Sequence, residues 1–205
     1  HKERLTMSYL KIKGVMPDGR SYRTIQVNSE GQIVLARPLV NIKKIRVRTA
    51  IEANGNAHAA GDILSNSDTD TAGLPWIFRD AARIAGGSGH IVQAAADTQV
   101  ESQTYSIALQ VYTKYPTCEL DDNAAAASPN PADGPYFVDE IVIPQMSSRG
   151  DNSYAVATPS TAGNLPLAFV CENGSRDLYV VAIAVDSTSH TATEWLDLTL
   201  YIEQY

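Results

Sequence analysis

The chain has 205 residues, 44% hydrophobic and 19% charged, with a formal net charge of −7. A chain of this length buries roughly 70% of its unfolded surface and needs no disulfide or metal to fold, and its acidity argues against nucleic acid as the main partner. The average hides a split: residues 1–50 hold 11 Lys or Arg against Glu3, Asp18 and Glu30, whereas the rest holds 5 against 20 acids. Such asymmetry suggests two surfaces with different jobs.

Taken in chain order, the first element is a basic hairpin at residues 14–35. Pro17-Asp18-Gly19 starts it, and Glu30-Gly31 turns "TIQVN" back against "QIVLA". Pro38 interrupts the pattern, so the reading places an N-terminal arm at 1–40 and a body at 41–205. The arm is too short to bury a core of its own. In 41–50, Ile45, Val47 and Thr49 point one way while Lys44, Arg46 and Arg48 point the other. This is either a solvated edge strand or a docking row for an acidic surface.

Further along, the dominant period is two. "YSIALQVYTKY", "YFVDEIVIPQM", "YAVATP", "PLAFVCE", "LYVVAIAV" and "LDLTLYIEQY" are short runs of β-branched and aromatic residues bounded by turns such as "PNPADGP", "SRGDN" and "ENG". One or two helical turns are expected in "IFRDAARIA" (77–85) and "NAAAAS" (123–128). The fold class this predicts is all-β: an antiparallel β-sandwich or jelly roll with a short N-terminal β-hairpin arm.

No catalytic signature accompanies the strands. The histidines His1, His58, His90 and His190 lack metal-ligand spacing, and His58 and His90 are expected to be exposed and unpaired. Ser88 in "GGSG" lacks a strand–elbow–helix setting, so its glycines read as a tight turn. Glu119, Asp121 and Asp122, like Asp68 and Asp70, do not match a calcium-binding loop. Trp76 and Trp195 neighbour strands and read as core or interface packing. Cys118 and Cys171 read as two small, semi-buried residues. The expectation is therefore no enzyme, no cofactor and no metal site. With a charged N-terminus and no apolar run of about 20 residues, the chain is expected to be soluble, made in the cytosol and without a membrane partner.

A longer pattern appears at 57–126. "AHAAGDILSN", "LPWIFRDAARIAGGSGHIVQAAADTQVESQTYSIALQVYTKYPT" and "DDNAAAA" carry Ala59-Ala60-Gly61-Asp62, Phe78, Asp80-Ala81-Ala82-Arg83, Gly86-Gly87-Ser88-Gly89 with Ile91, Leu109, Tyr112, Pro116-Thr117 and Asp122-Asn123-Ala124-Ala125. These resemble a family of tailed-bacteriophage virion structural proteins. The start "GVMPDGRSYRTIQVNSEGQIVLA" is similar to that of several phage head proteins, and "LPLAFVCENGSRDLYVVAIAVDS" with "EWLDLTLYIEQY" resembles the family's paired closing strands. Trp76, the basic run 43–48 and "AAAASPNPADGP" depart from it.

The resemblance implies a non-enzymatic virion component on the capsid surface, a decoration or cement protein bound to the major capsid protein. A homo-oligomer is expected, a trimer favoured. The residues expected to face the partner are Lys43, Lys44, Arg46 and Arg48, assisted by Arg20, Arg23 and Arg37. The alternatives are a tail, neck or fibre subunit, or a carbohydrate-binding module using Trp76, Trp195 or the tyrosines of "VYTKYPT".

Overall fold

The computed structural model describes residues 41–51, 57–67, 73–190 and 194–205 in full, and the backbone of the strands at 9–10, 25–27 and 33–34. It divides into two units, 1–40 and 41–205. In the first, β1 (Tyr9–Leu10), β2 (Ile25–Val27) and β3 (Ile33–Val34) form an antiparallel sheet in that order. The β2–β3 pair, with Val27 opposite Ile33, is the hairpin expected around Glu30-Gly31. Strand β1 was not anticipated.

The second unit carries thirteen strands in the described residues. They are β4 (Asn41–Ala50), β5 (Ala57–His58), β6 (Ile63–Leu64), β7 (Trp76–Phe78), β8 (Ser88–Thr98), β9 (Ile107–Tyr112) and β10 (Phe137–Ile143). Then come β11 (Ser147–Ser148), β12 (Ser153–Ala157), β13 (Leu167–Val170), β14 (Leu178–Ala184), β15 (Thr188–Ser189) and β16 (Trp195–Gln204).

One sheet runs β11-β12-β8-β16-β4, with β13 also pairing β8; the other runs β10-β9-β14-β6, with β7 also pairing β14. All these pairs are antiparallel. The pairing is nested. β9 with β10 is innermost, β8 with β12 and β13 encloses it, β6 and β7 with β14 come next, and β4 with β16 is outermost. A chain folded as one long hairpin and then rolled, so that β16 also meets β8 and β14 also meets β9, is a jelly roll.

Alternation explains which face each strand buries. In β16, Leu196, Leu198, Leu200 and Ile202 point inward and are fully buried. They meet Leu178 and Val180 of β14, Leu109 of β9, Ile141 of β10 and the indole of Trp76 in one core. Each such side chain contributes about 1.5–3 kcal/mol by leaving water. Strand β9 breaks the alternation, being buried at every position. The reason is a second small core on its outer side, where Ala108, Tyr112, Val181 and Ile183 pack with Ile63 and Leu120. Leu120, Cys118 and Ala126 belong to the 113–136 connection, which covers that face. A strand buried on both sides reads as a continuous apolar run.

Both expected helical turns are absent. In 77–85 the start is β7, and the Ala82 N–H donates to the Arg176 carbonyl (2.9 Å) instead of a helical partner. Residues 123–126 lie alongside 61–63: Ile63 N–H donates to the Ala124 carbonyl and Ala126 N–H to that of Gly61, both at 2.9 Å. Alanine's helix preference yields here to tertiary pairing. The "GGSG" turn is steric: a Cβ at Gly89 would lie 2.5 Å from the Glu203 carbonyl oxygen, and Gly86 has φ of +68°. Ser88 itself opens β8 as a ladder residue opposite Val170.

Candidate interaction surface

Strand β4 lies at the edge of its sheet, with all ten residues in register on β16 from Asn41 opposite Gln204 to Ala50 opposite Trp195. Ile45 and Val47 pack against the core, while Lys44, Arg46 and Arg48 are exposed on the outer face. That is the alternation expected from the sequence. Across the ladder, Lys44 faces Tyr201, Arg46 faces Thr199 and Arg48 faces Asp197.

The row is partly neutralised by a residue the sequence reading passed over. The Asp197 side chain is 1% exposed and accepts hydrogen bonds from Arg46 Nη2 and from Arg48, at 3.0 Å from Nε and 2.8 Å from Nη2. Burial pushes the Asp197 carboxyl up, but those hydrogen bonds and the two positive charges outweigh it and hold it below the usual carboxylate range. The Arg48 guanidinium also stacks 3.7 Å from the centre of the Trp195 ring. Lys43 turns to the other face, donating to the Asp80 carbonyl (2.9 Å) with the Asp80 carboxylate at 3.8 Å; Arg176 shares that carboxylate at 2.6 Å. Lys44 has the lightest engagement, its ammonium 5.7 Å from the Tyr201 ring centre. The structure thus brings Lys44, Arg46 and Arg48 onto one face and separates Lys43 from them. Arg20, Arg23 and Arg37 lie outside the described residues.

Beyond β16 the same face continues with Asp97, held by Asn152 Nδ2 (2.7 Å), and with Tyr154, over which Arg149 stacks. Between the basic row and Tyr154 is a small depression of about 90 Å³, floored by Ala95 and Thr199.

Two expectations about histidine fail. His58 is buried, its Nε2 3.2 Å from Asp122 Oδ2, and its ring meets that of His190 edge-on at 5.0 Å. His190 is also buried, Nδ1 3.3 Å from Glu194 Oε2, and packs on Tyr105. His90 bonds through Nδ1 to the Tyr205 hydroxyl at 2.8 Å. The partners are 64 and 115 residues away in sequence, beyond any local spacing rule. The acids read as a loop cluster serve the backbone instead: Asp122 Oδ1 accepts from Ser65 N–H and Asp121 Oδ1 from Gly73 N–H, both at 2.8 Å. Among the described residues, no three His, Cys, Asp or Glu side chains converge as metal ligands.

Trp76 is fully buried, with Nε1–H donating to the Leu64 carbonyl (2.8 Å), so it offers no platform to a sugar. Cys118 is half-buried and Cys171 buried, and neither is in a disulfide.

The chain is a jelly-roll β-sandwich by its strand order. No protein-family model matches its sequence, and no curated protein matches it. Among solved structures it is similar to a chain from the capsid of Ralstonia phage GP4, with a TM-score of 0.39 and 13% identity, covering 85% of this chain and 92% of that one. It is also similar to a chain of the full Israeli acute paralysis virus particle heated to 63 degrees, with a TM-score of 0.28 and 10% identity, covering 99% and 93%. A marine algae virus of the order Picornavirales gives a TM-score of 0.25 and 10% identity, covering 99% and 88%.

Proposed function

We propose that the chain is a structural component of a virus particle, seated on the capsid exterior as a decoration or cement protein and docked through its basic N-terminal region. The observation that carries this reading is the β4 row. Lys44, Arg46 and Arg48 stand exposed on one face of an edge strand, and among the described residues the carboxylate bonded to that row is the one of Asp197. The motif resemblance of 57–126 to phage virion proteins supports the same reading. The partner is the major capsid protein, and a closed trimer is the favoured assembly. The basic residues of 1–40, Arg20, Arg23 and Arg37 among them, would add long-range attraction, which salt screens over about 8 Å.

Co-sedimentation with capsids that lack the protein tests this, at low and high salt. Saturable binding that weakens with salt is expected, and Lys44→Glu should weaken it without moving the thermal transition, because Lys44 is exposed and its contact among the described residues is with the Tyr201 ring. Reversing Arg46 or Arg48 is a poorer probe, since it would place a carboxylate against the buried Asp197. Binding that ignores both salt and Lys44→Glu would overturn the reading.

A further inference from the structure

We propose that the outer edge of β4 receives an extended segment of the partner protein, added as a further antiparallel strand, in which carboxylates alternate with β-branched residues. This rests on the β4 docking reading and specifies its geometry.

Strand β4 is ten residues long, contains no proline and pairs with β16 without a bulge. Among the described residues no strand pairs with its other edge. In an antiparallel ladder every second residue turns its N–H and C=O away from the neighbour, so half of β4 presents donors and acceptors outward. A row of that length is a template for strand addition unless something discourages it.

Basic side chains do discourage one partner, a second copy of the same edge. A two-fold pairing centred on Arg46 would set Arg46 against Arg46 and Lys44 against Arg48, and like charges directly opposite each other destabilise a ladder. The same row favours a strand with Asp or Glu at every second position. β16 already shows this chemistry on the inner edge, where Asp197 stands opposite Arg48 and bonds to both arginines. An acidic strand on the outer edge would give Arg46 and Arg48 a carboxylate on each side and place one beside Lys44.

The opposite face sets the other half of the pattern. Ile45 and Val47 are only half-buried though they touch the core. A β-branched residue between each pair of acids would lie beside them and complete their burial. The recognised segment therefore reads acid, apolar, acid, apolar, acid.

The test uses the full chain and a synthetic peptide of alternating Glu and Val, ten residues long to match β4. Two controls accompany it: an isomer with the same residues but its acids in one block, and a copy N-methylated on the amides that would join the ladder. Binding is read by fluorescence anisotropy and by amide hydrogen exchange. The alternating peptide should bind in a salt-sensitive way and slow exchange at alternate amides within 41–50. The block isomer should bind at least severalfold more weakly because its acids leave the register of the basic row, and the N-methylated copy because each lost backbone hydrogen bond lowers affinity.

Equal binding of all three peptides, or protection that falls elsewhere, would overturn strand addition. So would slowed exchange in 41–50 that rises with protein concentration in the absence of peptide, which would make a second copy the occupant. Capsid binding sensitive to Lys44→Glu, with no peptide-induced protection, would leave the docking reading standing and remove only this one. Loss of both would remove both.

Discussion

Asp197 shows how much one side chain can decide on this surface. Its carboxylate is out of water, yet it is bonded to two guanidinium groups that are themselves about half exposed. Replacing it with asparagine removes the charge and leaves both arginines facing a neutral amide. The expected cost at pH 7 is about 1.5–3 kcal/mol, typical of hydrogen bonds to a charged group. Its dependence on pH has a definite sign. The carboxyl is held below its usual range in the folded chain. The stabilisation is therefore complete above the unfolded value near 4 and disappears as pH falls through the folded one. Urea midpoints of the parent and Asp197→Asn should differ at pH 7 and converge as the pH is lowered below about 4. A gap that stays constant into acid would mean that the charge contributes nothing. Lys44, Arg46 and Arg48 were legible as one row because a period of two is local. Asp197 was legible only as an outward position of "LDLTLYIEQY"; its pairing with residues about 150 positions earlier is a product of topology.

At the scale of elements, the 113–136 connection matters most, because it covers the outer face of β9 and β14. Its fastening is Asp133, 2% exposed, whose carboxylate accepts from Thr117 N–H at 2.9 and 2.8 Å, from the Thr117 hydroxyl at 3.0 Å and from Cys118 N–H at 3.0 Å. Asp133→Ala would leave those donors unpaired, a loss of about 2–3 kcal/mol, and would loosen the cover locally. Cys118 reports it. Burial, and then the nearby Asp133 carboxylate, pushes its thiol up to about 11, so it reacts slowly near neutrality. In Asp133→Ala, maleimide labelling of Cys118 at pH 8 should accelerate. Cys171, also pushed up to about 11 by burial within the main core, should keep its rate; peptide mapping separates the two. "PNPADGP" was legible as turn chemistry, but its aspartate's role was not, because the donors lie 15 and 16 residues upstream. The misread alanines at 124–127 have the same cause: a local helix preference set against a distant strand.

For the molecule as a whole, period-two runs and frequent turns were enough to predict a sandwich or jelly roll, and the nested pairing settles on the second. What composition could not supply is the order of closure. The outermost pair joins Asn41 to Gln204, so β16 must arrive before β4 has a neighbour. β16 is the pivot, lying between β4 and β8 and supplying four fully buried side chains to the core. A chain ending at residue 194 should therefore fail to show a cooperative thermal transition. The other end differs. Every strand of the two large sheets pairs within 41–205, so residues 41–205 expressed alone should unfold cooperatively near the temperature of the full chain. That truncation also divides the proposed docking charge: it keeps Lys44, Arg46 and Arg48 and removes Arg20, Arg23 and Arg37. If the β4 row carries docking, 41–205 should still bind capsids at low salt, with a shallower dependence on salt because fewer charges act at long range. A folded 41–205 that no longer binds would transfer the docking role to residues 1–40.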